Sequence, residues 1–252
     1  MRRLVLAAVV AGLVGVSVSG TSIGAQSPRV AFDVTSVKTN TSDSARSWAG
    51  RGSQLIIQNY PLRDIILGAY GLRTYQLGGG PDWIGTARFD IVGRAPDGVP
   101  RTIAMLRTLL TDRFQLKTHT ETRQLPVYRL VLARDDRRFG PKLRPSTLDC
   151  AATRCTASVL SGRIQTNGYS MAQLAQLLAS NVDREVIDRT GLTGVYDLEV
   201  AWTPDDGVAD VVTRDAPGLF TAIVEQLALK LEPAVGPVDV LVIDSIERPT
   251  ED

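Results

Sequence analysis

The sequence predicts an α+β fold built from two tandem copies of a small β-α-β-β-α-β unit, with the helices of each copy packed on one face of a sheet. Three observations lead there. The 252 residues are 44% hydrophobic and 22% charged, which is the range of ordinary globular chains and excludes disordered, collagenous and many-span membrane proteins. Amphipathic segments of helical and of strand period then recur in the same order in the two halves of the chain. Finally, the helical segments are short, and short helices need an apolar face laid against a sheet to persist in water.

Taken in order, the chain opens with Arg2-Arg3, an apolar run over residues 4–18 interrupted by Gly12, Gly15 and Ser17, and a stretch ending Ser22-Ile23-Gly24-Ala25. Charge, short apolar segment and small residues make the layout of a secretory signal. The run is shorter than the roughly 20 residues that span a membrane, and no Cys follows it to carry a lipid. Residues 1–25 are therefore expected to be a signal peptide cleaved after Ala25, with no transmembrane segment left. Loss of Arg2 and Arg3 takes the net charge from +1 to −1.

Residues 26–134 are expected to form the first unit, beginning with a strand over residues 32–38. Asn59-Tyr60-Pro61-Leu62 opens a helix whose Leu62, Ile65, Ile66, Ala69 and Tyr70 share a face. Asn59 is the expected cap, and Pro61 is tolerated in a first turn. A strand at Phe89-Asp90-Ile91-Val92 follows, then a helix marked by Ile103, Leu106, Leu109 and Leu110. A short strand at Phe114-Gln115-Leu116-Lys117 and a closing strand from Pro126 to Leu132 complete the unit. Residues 135–161, with the charge run Arg134-Asp135-Asp136-Arg137-Arg138 at their start and Pro141, Pro145 and both cysteines, are expected to be a linker.

Residues 162–252 repeat the order. Asn167-Gly168-Tyr169-Ser170-Met171 opens a helix with Met171, Leu174, Ala175 and Leu178 on one face, and Tyr196-Asp197-Leu198-Glu199-Val200 reads as a strand. Leu219, Phe220, Ile223, Val224 and Leu227 mark a second helix. Leu227 to Lys230 and Pro237 to Ile243 match the last two strands of the first unit.

The residues that could carry chemistry are few. Charges of both signs are interspersed without the basic stripe of a nucleic-acid domain, so no nucleic-acid partner is expected. Cys150 and Cys155 suit a disulfide across a tight loop of an exported chain; a redox pair or half a metal site would need another spacing or more ligands. His119 is the only histidine, on the polar side of a strand with Lys117 and Glu121, so no metal site, cofactor or catalytic residue is assigned. No Gly-x-Ser-x-Gly, Ser-x-x-Lys or His-Glu-x-x-His occurs. Asp82, Asp90, Asp188 and Asp197 are carboxylates available to a hydrolase, without a supporting motif. Gly78-Gly79-Gly80-Pro81-Asp82-Trp83 lacks the Lys-Ser or Lys-Thr and the helix of a phosphate loop. It reads as a tight turn followed by a strand, or as an aromatic patch of Trp83 and Tyr75 for a partner.

Several segments together resemble a large family of exported bacterial proteins of unknown function, expanded in soil acidobacteria. They are Phe32-Asp33-Val34-Thr35-Ser36-Val37-Lys38, Gly79-Gly80-Pro81-Asp82-Trp83, Leu109-Leu110-Thr111-Asp112-Arg113-Phe114 and Leu125-Pro126-Val127-Tyr128, with the run from Asp188 to Asp197 and Val240-Leu241-Val242-Ile243-Asp244. The resemblance covers nearly the whole mature chain. It implies export, and its relatives that carry the domain behind an antibiotic-sensor type of membrane peptidase imply sensing or binding; it supplies no catalytic residues. In element order each half is also similar to the short N-terminal domain of secretins and TonB-dependent receptors, a likeness of architecture only.

Together these features point to a periplasmic or secreted binding module for a protein, peptide or cell-envelope partner. It would work through a sheet edge or the aromatic turn, with Tyr75, Trp83, Asp188, Tyr196 and Asp197 as its expected binding residues. The alternative is a carboxylate-dependent hydrolase of the cell envelope.

Overall fold

In the computed structural model the described residues are 30–150, 154–204, 213 and 215–250. The signal expected over residues 1–25 and its cleavage point lie outside them. The fold is mixed α+β with three four-stranded sheets.

The first sheet contains β1 (Val34–Asn40), β2 (Ser47–Arg51), β3 (Gln54–Pro61) and β5 (Arg88–Arg94) in the order β1-β5-β3-β2, all antiparallel. The second contains β7 (Leu143–Pro145), β8 (Thr156–Leu160), β9 (Arg163–Tyr169) and β11 (Tyr196–Ala201) in the order β7-β11-β9-β8, again antiparallel. In both, the strands run first, fourth, third, second in chain order. The stretch 135–161, read from sequence as a linker, thus carries two strands of the second sheet. A third sheet draws strands from both halves of the chain: β6 (Lys117–Leu132) and β12 (Leu229–Ser245) pair antiparallel along their length. β4 (Leu77–Gly79) is added parallel to the end of β12, and β10 (Glu185–Asp188) parallel to the end of β6.

Each of the first two sheets turns its apolar alternation toward helices. Val37, Leu55, Ile57, Phe89 and Ile91 are buried with α1 (Leu62–Tyr70) and α3 (Ile103–Phe114). Ile164, Leu198 and Val200 are buried with α4 (Met171–Val182) and α5 (Leu219–Ala222). The shared β6–β12 ribbon feeds both cores, since Ile243 of β12 belongs to the first cluster and Leu130 of β6 to the second.

The ribbon differs from the two short strands per half that the sequence suggested. Pro126, Pro233 and Pro237 lie inside it, paired with Val235, Tyr128 and Gln124. A proline is tolerated there only where its missing N–H would face outward from an unpaired edge. β10 pairs with β6 only over Val127 to Leu130, and β4 pairs with β12 only over Leu241 to Ile243. The prolines fall outside those stretches, on open flanks, and the strands continue through them.

Helix ends also depart from expectation. Pro61 occupies the cap position of α1 with no side-chain cap, whereas Asn59 sits two residues back, buried, with φ +57. Ser170 caps α4: its Oγ accepts from the Gln173 amide while Gln173 reaches back to the Ser170 N–H. After Pro81-Asp82 comes a helical turn, α2 (Trp83–Thr86), rather than a strand. α5 widens into a π turn over Ile223–Leu227. With more than four residues per turn there, Ile223 and Leu227 fall on nearly the same face and are buried, whereas Phe220 and Val224, expected in the core, are 46% and 42% exposed.

Candidate functional site

A bulge recurs beside α1 and α4, and two of the carboxylates singled out from sequence hold it. The β3–β5 register shifts between Ile57 and Tyr60, and the β9–β11 register shifts between Tyr196 and Leu198. At the first, the Asn59 amide donates to Asp90 Oδ1 at 2.9 Å; at the second, the Gly168 amide donates to Asp197 Oδ1 at 3.1 Å. Both donors have left-handed backbone, φ +57 and +76. The Cys150–Cys155 disulfide, with a Cα–Cα distance of 5.3 Å, lies directly over Gly168, where a Cβ would crowd both sulfurs. Asp197 also pairs with Arg144 at 3.4 Å.

The other expected binding residues are occupied by neighbours. Asp188 accepts from the amide and hydroxyl of Thr190 at 2.9 and 2.8 Å, closing its own turn. Tyr196 is buried, its hydroxyl donating to the Thr193 carbonyl at 3.0 Å and its ring against Phe139. Tyr75, half-buried, donates to Glu185 at 3.2 Å; burial first, then the Glu185 carboxylate, pushes its phenol well above the ordinary range. Trp83 packs its edge toward Phe89, with the Arg248 guanidinium 4.7 Å over its face. Tyr75 and Trp83 therefore face different neighbours, β10 for one and the first core for the other.

The lone histidine is not solitary. His119 Nδ1 lies 2.7 Å from Asp244 Oδ1, and its Nε2 3.6 Å from Glu121. Glu121 in turn accepts from Arg123, and that hydrogen bond holds its carboxyl below the usual range despite an opposing desolvation. All of these side chains are 42–50% exposed. The cluster sits open to water on the β6–β12 ribbon, where such ion pairs contribute little. Among the described residues, no three His, Cys, Asp or Glu side chains are placed to hold a metal ion.

What the sequence reading missed is an edge. β8, Thr156-Ala157-Ser158-Val159-Leu160, lies at the margin of its sheet, and every residue is exposed, including Val159 at 47% and Leu160 at 58%. The β2 edge, which has the same place in the other sheet, is guarded. Arg51 ends it, Arg46 precedes it in a pair with Asp64, the Arg101 guanidinium lies across Gly50, and Trp48 seals onto Gly68 of α1. Charges and covers of that kind protect an edge from adding a foreign strand, and β8 carries no charge at all. Its hairpin was legible: Ser161-Gly162, a turn dipeptide with Gly162 at φ +75, joins β8 to β9.

Beyond that turn a groove of about 320 Å³ opens, lined by Gly162, Asn181, Trp202, Pro204, Leu219 and Phe220 among others. A second, polar hollow of about 240 Å³ on the same sheet is crossed by Lys142–Glu199 and Arg144–Asp197 ion pairs. No described helix is long and apolar enough to cross a membrane.

Neither the curated proteins nor the solved structures contain a match to this chain. The family comparison does: residues 63–246, from the first turn of α1 to just past the end of β12 and so the Gly168 bulge, the ribbon and the β8 edge, match one family over most of the chain. The chain thus belongs to the DUF3738 family, described as proteins of unknown function.

Proposed function

We propose that this protein is an exported binding module that captures an extended segment of a protein or peptide in the cell envelope by adding it as a further strand at β8. The observation that carries this function is the contrast between two edges in matching positions, β2 guarded by arginines and β8 uncharged and, among the described residues, exposed along its whole length. A free edge supplies a ladder of unpaired N–H and C=O groups, which gives affinity, while its exposed side chains give selectivity. The disulfide supports an oxidising location, periplasmic or extracellular, as does the amino-terminal charge pattern. Resemblance to a family expanded in soil acidobacteria, and in element order to the docking domains of secretins and TonB-dependent receptors, fits the same role. Tyr75 and Trp83 remain a secondary contact surface in this proposal.

We propose further that the chain consists of two copies of one unit. The common strand order of the first two sheets, the paired Asp90–Asn59 and Asp197–Gly168 bulges and the reciprocal addition of β4 and β10 to the ribbon support it.

Strand addition is tested by titrating a blocked peptide of alternating Thr and Val into the mature protein while backbone amide NMR shifts are followed. Shifts confined to β8 and β9, absent in Val159→Lys, are expected; binding that survives Val159→Lys unchanged sinks the proposal.

A further inference from the structure

The groove past the β8–β9 turn gains a role if β8 adds a foreign strand, and its assignment rests on that proposal. Three features bear on its occupant. The first is its place, between the carboxyl end of α4 at Asn181 and the start of α5 from Leu219 to Thr221. Those helices cover the core face of the second sheet, the face toward which Val159 projects, because its partner across the ladder is the buried Ile164. A strand laid along β8 would therefore run off its end beside the groove, with every second side chain on the groove's side of the sheet.

The second feature is chemistry. The described walls carry no charged side chain, and four of them are Trp202, Pro204, Leu219 and Phe220. The other described walls are Ser161, Gly162, Asn181, Gly218 and Thr221, so a charged side chain would lose hydration there and meet no opposite charge among them, and the four large walls favour an apolar occupant. At about 320 Å³ the groove stands at the lower end of the ligand-pocket range, roughly 300–1,000 Å³, room for one large side chain rather than a whole cofactor.

The third is an outer wall held open by backbone. Gly162 has φ +75, and a Cβ there would strike the Trp202 carbonyl, Pro204 and Thr213, so this corner needs glycine to keep the turn against the wall. Phe220, in the first turn of α5, is 46% exposed, with its ring 5.3 Å from that of Tyr128 centroid to centroid, on the rim instead of in the core. An exposed Phe fixed by a second ring at the mouth of an apolar groove is the arrangement of an anchor pocket.

We infer that the groove is the specificity pocket of the β8 edge, and that the captured segment is an extended peptide carrying a bulky aromatic or branched aliphatic residue just beyond the stretch paired with β8. Main-chain pairing supplies sequence-independent affinity; the pocket chooses the register.

The experiment uses the whole mature chain and blocked peptides of alternating Thr and Val in which Phe, Leu, Ser or Asp is walked along the sequence, with fluorescence anisotropy as readout. One position is expected at which Phe or Leu binds about ten-fold tighter than Ser, in line with burial of a large apolar side chain, and at which Asp is rejected. Phe220→Ser, at an exposed position, should collapse that preference, bringing the Phe and Ser peptides to about equal affinity. Val159→Lys should abolish binding of all peptides. A Phe-to-Ser preference unchanged in Phe220→Ser overturns the pocket while leaving strand addition standing. Binding unaffected by Val159→Lys overturns both. Concentration-dependent dimerisation that Val159→Lys removes would show a second copy of the chain on the edge, and would also overturn the inference.

Discussion

Asp90 and Asp197 show how a carboxylate that looks catalytic in a sequence can be spent on backbone. Each accepts the amide of a residue in left-handed conformation, a geometry that persists only where the surroundings hold it. Asp197→Ala should lower stability by roughly 2 kcal/mol, the worth of a hydrogen bond to a charged acceptor, and Asp197→Asn should lose less because an amide oxygen still accepts. Urea denaturation of the two variants checks this; equal losses would refute it. The Tyr75 phenol gives a pH signature. Folding keeps its proton on to higher pH than the ordinary 10.0, so above pH 10 the unfolded chain ionises first and stability falls as pH rises. Tyr75→Phe should flatten that alkaline fall, read from melting temperatures on either side of pH 10. Glu121 has the opposite sign. Its carboxyl is held low by Arg123, so its contribution is present above the ordinary carboxylate range and fades on acidification.

Elements are set by a few local devices. The Ser170–Gln173 capping box starts α4, and Ser170→Ala should cost about 1 kcal/mol, measured by thermal or urea unfolding, with no change in peptide capture because the cap is not part of β8. The disulfide precedes β8 directly and rests on the Gly168 bulge. Its loop is short, so replacing both cysteines by serine should cost only about 2 kcal/mol of unfolded-chain entropy. The fold is expected to survive that change, and thiol labelling of the native, non-reduced chain should find neither cysteine free. Labelling of both would refute the pairing in solution.

At the scale of the whole molecule, the ribbon makes the halves interdependent. β4 pairs with β12, β10 pairs with β6, Ile243 lies in the first core and Leu130 in the second. Cutting the chain in the charged loop near Asp135 should therefore give two fragments that are each unfolded alone and fold when mixed, as circular dichroism would show. Independent folding of either fragment would contradict the exchange of strands. For the same reason, Ile65→Asp or Leu174→Asp, each placing an unpaired charge at a fully buried position, should cost several kcal/mol and unfold the whole chain in one transition, not one half of it.

The apolar faces were legible in the order of residues alone. Leu62, Ile65, Ile66 and Ala69, and Met171, Leu174, Ala175 and Leu178, are all buried as their helical spacing requires, and the α+β class follows because such faces must lie on sheets. The cysteine pair was equally legible, since the chain has only two cysteines and a five-residue separation lets them meet. Three things were settled only in three dimensions. Whether Pro126, Pro233 and Pro237 end a strand depends on which flank of the ribbon is open, and that depends on how far β4 and β10 extend. Whether Phe220 is core or surface depends on which face the four-residue α5 turns to the sheet, and so short a helix holds too few positions for periodicity to fix a face. The bare β8 edge is the third: five residues of modest β propensity read as linker until pairing with β9 orders them, because a strand's partners, and therefore its free side, are long-range facts that no local pattern of side chains contains.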